Sequence, residues 1–225
     1  MEITAKEHDV SHVGISKNWG HYESEEPIVF ADIYQEDVNI ATWKRDLSAT
    51  LKESIQRFLI AKPTFQLNAI VTPENVSTCL CDEFASDGHP ELVDNISELV
   101  DIFCCLLETS HAGLRLTALD RAMCPKFHVD RVPCRLVTTY QGVATQWLPH
   151  DTVNRTKLGL GSKGLSDNES GLYQHPDDIQ QLQCGDVALL KGETWMNNEN
   201  KGLVHRSPAL AAGEQRLLLT LDFVD

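Results

Sequence analysis

The sequence is poor in the features that mark several common protein classes. Basic residues are scarce: 19 Lys and Arg stand against 33 Asp and Glu, a net charge of −14. A polyanion approaching such a chain meets long-range repulsion, so nucleic acid is not expected as a partner. No apolar run reaches the roughly 18 residues that cross a bilayer. The opening Met1 to Val10, with Glu2, Lys6, Glu7 and Asp9, lacks the apolar stretch of a signal peptide. A soluble, cytoplasmic protein with no membrane partner is the expectation. The seven cysteines include no Cys-x-x-Cys pair, which removes the zinc-ribbon and thioredoxin-like readings. Also missing are the Gly-x-Ser-x-Gly elbow and the phosphate-binding glycine loop.

What is present suits an ordinary folded domain. At 225 residues and 42% apolar content the chain can build one core, either as a single domain or as a barrel with a helical annex. The hydrophobic spacing changes near residue 112. Before it, Ile40, Trp43, Leu47, Leu51, Ile55 and Phe58 recur at three and four, which predicts a helix capped by Asp37 and ended by Pro63. A short strand is expected from Phe65 to Val71, then a helix opened by Thr72-Pro73 and a third opened by Pro90. His89 and His111 read as a loop residue and a C-terminal cap, and Cys79, Cys104, Cys105 and Cys184 as small buried apolar groups. After Gly113 the texture is strand and turn, with candidates at Leu114 to Ala118, Lys126 to Asp130, Cys134 to Gln141, Thr145 to Leu148, Asp186 to Leu190, Leu203 to Arg206 and Arg216 to Val224. Gly159 to Gly171 reads as a surface loop. The expected fold is α+β, with a helical part over residues 1–112 packed on a barrel or jelly roll over residues 113–225.

The chemistry concentrates in the second part. In Phe127-His128-Val129-Asp130 an imidazole and a carboxylate stand two apart, and on a strand residues i and i+2 share a face. His205, on a strand-like stretch, is the candidate third member of a two-histidine, one-carboxylate metal site. Eleven residues further, Arg216 opens the apolar run Leu217 to Leu221, where a buried guanidinium needs an anionic partner. Other readings use the same residues. His128 and Asp130 fit a hydrogen-bonded surface pair, and Arg216 fits a structural salt bridge. Cys124, His128 and Cys134, joined by Asp130 or His205, fit a tetrahedral zinc site of a metal-homeostasis module.

The order His128-x-Asp130, distal His205, then Arg216 resembles the iron(II)- and 2-oxoglutarate-dependent dioxygenases, which have a cupin-like double-stranded β-helix fold. That resemblance covers residues 113–225. It implies iron(II) on His128, Asp130 and His205, the far carboxylate of 2-oxoglutarate on Arg216, and Tyr140 or Thr138 touching the cosubstrate. It further implies hydroxylation of a small molecule or a protein side chain. The whole chain also resembles a bacterial family of unknown function, through its Phe-His-x-Asp and Thr-Tyr-x-Gly stretches.

Overall fold

The computed structural model describes residues 19–84 and 89–224; Met1 to Val10, and with it His8, and also His12 lie outside them. In chain order the elements are β1 (Gly20–Ser24), β2 (Val38–Trp43), α1 (Ala49–Ala61), β3 (Gln66–Val71), α2 (Val76–Phe84), α3 (Pro90–Leu106), β4 (Ala112–Leu119), β5 (Cys134–Gln141), β6 (Gln146–Leu148), α4 (Asp167–Ser170), β7 (Gln180–Gln181), β8 (Val187–Lys191), β9 (Val204–Arg206) and β10 (Arg216–Asp222). Among the described residues these strands form a large sheet in the order β1-β2-β8-β5-β10-β4-β3 and a small one in the order β7-β6-β9. All pairings are antiparallel except β1 with β2.

The alternation along β10 shows how the layers arise. Leu217, Leu219 and Leu221 join a core cluster with α1, α2 and α3, while Leu218 joins a second cluster with Val137, Leu190 and Trp147, which spans the large sheet and the small one. A strand covered on both faces reads as a nearly continuous apolar run, as Leu217 to Leu221 does. The side turned away from the helices carries Arg216, Leu218 and Thr220 into the cavity between the sheets.

The N-terminal part differs from its expectation. Residues 1–112 supply not only helices but also β1, β2 and β3, all in the large sheet. The helix predicted from Asp37 onward begins only at Ser48, whose hydroxyl accepts a hydrogen bond from the Leu51 N–H at 3.1 Å. Val38 to Trp43 is instead a strand between β1 and β8. Its buried residues point both ways, Val38 and Ala41 toward the helices and Ile40 toward the small sheet, and its Val, Ile, Thr and Trp content favours the pleat. Within it only Ile40 and Trp43 carry the helical spacing, and one such pair occurs by chance in so short a strand.

The other expected helices form, α3 with Pro90 in its first turn. His89 lies just outside the helix as the N-cap of α3, but it is buried, 3% exposed, with Nδ1 3.2 Å from Ser54 Oγ. Cys104 is buried as expected and Cys79 half-buried, whereas Cys105 and Cys184 are exposed. Cys105 takes the solvent side of α3 because its neighbour Cys104 takes the core side. The segment from Gly159 to Gly171 is not irregular throughout, since it contains α4. No helix among the described residues is long and apolar enough to cross a membrane.

The shared core gives a stability prediction. Phe103 is fully buried in the helix-to-sheet layer and Ile60 is 83% exposed on α1. Phe103→Ala should therefore lower the unfolding free energy by about 3–5 kcal/mol, and Ile60→Ala by less than about 0.5 kcal/mol. Denaturant unfolding followed by circular dichroism measures both, and equal effects would contradict the placement of this core.

Candidate metal centre

The segment that carries His128 and Asp130 is not the strand its spacing suggested. Pro125 and Pro133 bracket it, and proline cannot donate to a ladder. The segment makes one antiparallel bridge, at His128, to His205 on β9. Two backbone hydrogen bonds close that bridge: His128 N–H to His205 O at 3.0 Å and His205 N–H to His128 O at 2.9 Å. Both imidazoles thus project from one backbone pair, with ring centroids 4.6 Å apart.

Two glycines let the rest of the segment approach. A Cβ on Gly192 would sit 1.9 Å from Val132 O, and one on Gly202 would sit 2.5 Å from Val129 Cγ1. Their absence allows the Glu193 N–H to reach Asp130 O at 2.9 Å and the Gly192 N–H to reach Pro133 O at 2.8 Å. The turn through Asp130 is thereby tied to the end of β8.

The donor atoms converge. One ligand atom from each of His128, Asp130 and His205 lies within 4.8 Å of the others. Nε2 of His205 is 3.3 Å from Asp130 Oδ2, and Nε2 of His128 is 3.6 Å from Asp130 Oδ1. Each ring is held from its other nitrogen: Nδ1 of His128 donates to Lys126 O at 2.9 Å and Nδ1 of His205 donates to Leu203 O at 3.2 Å. A carbonyl can only accept, so Nδ1 carries the proton and Nε2 is turned toward the common point, as in histidine ligation of metals.

Asp130 has a second attachment. Arg135 donates from Nη1 to Asp130 Oδ2 at 2.7 Å and grips Asp222 with Nε and Nη2, at 2.7 and 2.9 Å. Burial works against ionising Asp130, yet the hydrogen bonds from His128 and His205 and the Arg135 guanidinium hold its carboxyl well below the usual carboxylate range. Burial likewise opposes charging His128, but Asp130 and the Lys126 carbonyl outweigh it and leave the imidazole pKa raised.

His128 and His205 line a cavity that also holds Arg216. The cavity volume is about 60 Å³. Arg216 is 1% exposed, and its partners are hydroxyls: Thr145 Oγ1 and Ser207 Oγ, each at 2.8 Å, and Thr139 Oγ1 at 3.0 Å. Among the described residues no carboxylate lies within ion-pair distance of it. Burial pulls the guanidinium down to about 10, which leaves it charged at neutral pH. The salt-bridge reading of Arg216 is therefore corrected.

A family model described as protein of unknown function (DUF1826) matches residues 24–222. The chain belongs to that family. No curated protein matches the DUF1826 chain by sequence. Among solved structures it is similar to the dioxygenase for auxin oxidation 1 of Arabidopsis thaliana in its 2-oxoglutarate complex, with 10% identity, a TM-score of 0.54, and 91% of each chain covered. The rice dioxygenase for auxin oxidation matches at 11% identity and TM-score 0.49, over 83% of this chain and 73% of that one. HygX of Streptomyces hygroscopicus, with iron bound, matches at 13% identity and TM-score 0.46, over 81% and 80%. The first of these establishes that this DUF1826 member shares the fold of that dioxygenase.

Two expectations about the site residues of this DUF1826 chain are corrected. Thr138 and Tyr140 face the helices rather than the cavity, and the Tyr140 hydroxyl donates to Asn95 Oδ1 of α3 at 2.9 Å. Their neighbour Thr139 is the one that meets Arg216. The zinc arrangement of Cys124, His128 and Cys134 does not assemble either. Cys134 is fully buried in the helix-side core, one residue out of phase with Arg135, while Cys124 lies at the cavity mouth. Arg135, Asp222, Thr145 and Ser207 escaped the sequence reading; the one available signal was that Arg135 and Thr139 share the strand parity of Val137.

Two predictions follow from this geometry. Arg135→Gln should weaken divalent-metal affinity by about 10- to 100-fold, read by competition with a chromogenic chelator, and unchanged affinity would show that Asp130 does not need it. Burial pushes the Cys134 thiol up to about 12. Iodoacetamide should therefore alkylate Cys124 in the native protein and reach Cys134 only after unfolding, with peptide mass spectrometry as the readout; the reverse order would put Cys134 at the cavity.

Proposed function

We propose that the protein is an iron(II)- and 2-oxoglutarate-dependent oxygenase with a double-stranded β-helix at its core. The observation that carries the reading is a cavity lined by His128, His205 and the buried guanidinium of Arg216, with the Asp130 carboxylate clustered on the two imidazoles and, among the described residues, only hydroxyls meeting Arg216. Two imidazole nitrogens and one carboxylate form the donor set of a facial triad, which suits ferrous iron and keeps coordination positions open. Ferrous iron, when bound there, supplies the centre at which oxygen and the cosubstrate are activated. The likeness of fold to a dioxygenase solved with 2-oxoglutarate supports the same reading.

The chain's own residues then have distinct tasks. Lys126 and Leu203 carbonyls orient the imidazoles, and Arg135 fixes the Asp130 carboxylate. Arg216, with Thr139, Thr145 and Ser207, offers a compact set of donors to the far carboxylate of 2-oxoglutarate. Leu218, Val137 and Leu190 wall the space between and restrict water. The overall reaction class is hydroxylation of a small molecule or a protein side chain. Thiolate-bound zinc finds no support, because Cys134 points into the helix-side core.

Anaerobic titration of the iron-loaded protein with 2-oxoglutarate tests the reading. A visible charge-transfer band should grow to one equivalent. His128→Ala should lose that band and cosubstrate consumption together, whereas Arg216→Gln should raise the concentration needed by roughly tenfold or more. Absence of a band in the wild type, or full activity in both variants, would contradict the assignment.

A further inference from the structure

The cavity has a second cationic position that the proposed reaction leaves unused. Arg115, Arg135, Arg206 and Arg216 line it, and among the described residues no Asp or Glu does. In a chain of net charge −14 this is a local inversion of sign. Two of the four are neutralised, Arg135 by Asp130 and Asp222, and Arg206 by Asp167. Arg216 is the deep anchor discussed above. That leaves Arg115, exposed on β4 at the mouth, whose Nε donates to the amide oxygen of Asn68 at 2.9 Å. Among the described residues no carboxylate pairs with it.

Strand register puts a complementary donor beside it. Arg115 stands opposite Thr220 on β10 and opposite Asn68 on β3. Thr220 lines the same cavity, and its buried hydroxyl has no hydrogen-bond partner among the described residues. Thr42, Ser97 and Thr138 hydroxyls share that state, but Thr220 is the one that lines this cavity, where a bound acceptor would satisfy it. Thr220 lies four residues along β10 from Arg216, about 13 Å of strand, which sets the two positions apart along the cavity wall. The surface between them carries Leu218 and Val137 on the strands, Thr117 opposite Leu218, and Met123 at the rim.

We propose that Arg115 and Thr220 form an oxyanion subsite for the primary substrate, which is therefore a small organic acid. Its carboxylate or phosphate takes the free donors of Arg115 and the Thr220 hydroxyl, and its apolar part lies along Leu218, Val137 and Met123. Asn68 holds Arg115 from its Nε side and leaves the two terminal nitrogens for the ligand. The inference rests on the oxygenase reading for the order of binding, not for the existence of the subsite.

Calorimetric titration tests it on anaerobic, iron-loaded protein saturated with 2-oxoglutarate. The probes are hexanoate, benzoate and hexyl phosphate, with hexanol as the uncharged control. At least one acid should bind more tightly than hexanol, and which one binds separates carboxylate from phosphate chemistry. Arg115→Gln should weaken that acid by about tenfold or more, as expected for loss of a charge-assisted pair. Asn68→Asp should weaken it similarly by neutralising Arg115 in place, and Thr220→Val by a smaller factor. Hexanol and 2-oxoglutarate should bind all variants as they bind the wild type. The proposal is overturned if no acid outbinds hexanol, if the acids bind Arg115→Gln as tightly as wild type, or if that variant loses 2-oxoglutarate. Should the wild type take up no 2-oxoglutarate, the oxygenase reading fails, and the same acid titrations without it still decide the subsite.

Discussion

The chain of ionic hydrogen bonds from Asp130 through Arg135 to Asp222 is the interaction on which the candidate site depends. The turn that carries Asp130 lies between two prolines and has a single bridge to the sheet, so a ladder does not hold it. Arg135, a β5 residue, reaches out of the sheet to fix one carboxylate with the help of another on β10. A planar guanidinium can grip two carboxylates at once in defined directions, which an ammonium cannot. Half-buried charge of this kind is weak evidence of stability. Its value here is positional, since it sets the carboxylate facing two imidazoles that a separate backbone pair has already brought together.

The rest of the fold supplies two differently used faces. Toward α1, α2 and α3 the large sheet presents leucines, Val187, Tyr140 and Cys134, and its work there is packing. Toward the small sheet it presents arginines, threonines and a few aliphatic residues, and that face bounds the cavity. Both Arg216 and Arg115 sit on this second face at opposite ends of one strand neighbourhood. Burying Arg216 without a carboxylate is costly by itself. Three hydroxyls offset part of that cost while leaving the positive charge to attract an anion.

Much of this was legible in the residues, and the gaps have physical reasons. The strands at Cys134 to Gln141 and Arg216 to Asp222 and the helix from Pro90 were readable, because proline caps and long apolar runs mark them. The strands at Gly20 to Ser24 and at Gln180 to Gln181 are short and polar, and the one at Val38 to Trp43 mimics helical spacing over six residues. In the site, His128, Asp130, His205 and Arg216 were named from their order and do share a cavity wall or a cluster. The choice of Thr138 and Tyr140 failed by one residue, because strand parity depends on register, which order alone does not encode. The same one-residue logic puts Cys134 away from the candidate site. Arg135 and Asp222 could not be paired from sequence, being 87 positions apart.

The central claim is that the metal is held by two imidazoles and one carboxylate, without sulfur. X-ray absorption at the iron edge, on protein loaded anaerobically with ferrous iron, tests it most directly. The account predicts a first shell of nitrogen and oxygen scatterers only, with multiple-scattering features of two imidazoles. A sulfur scatterer in the first shell, or the signature of a single imidazole, would contradict it.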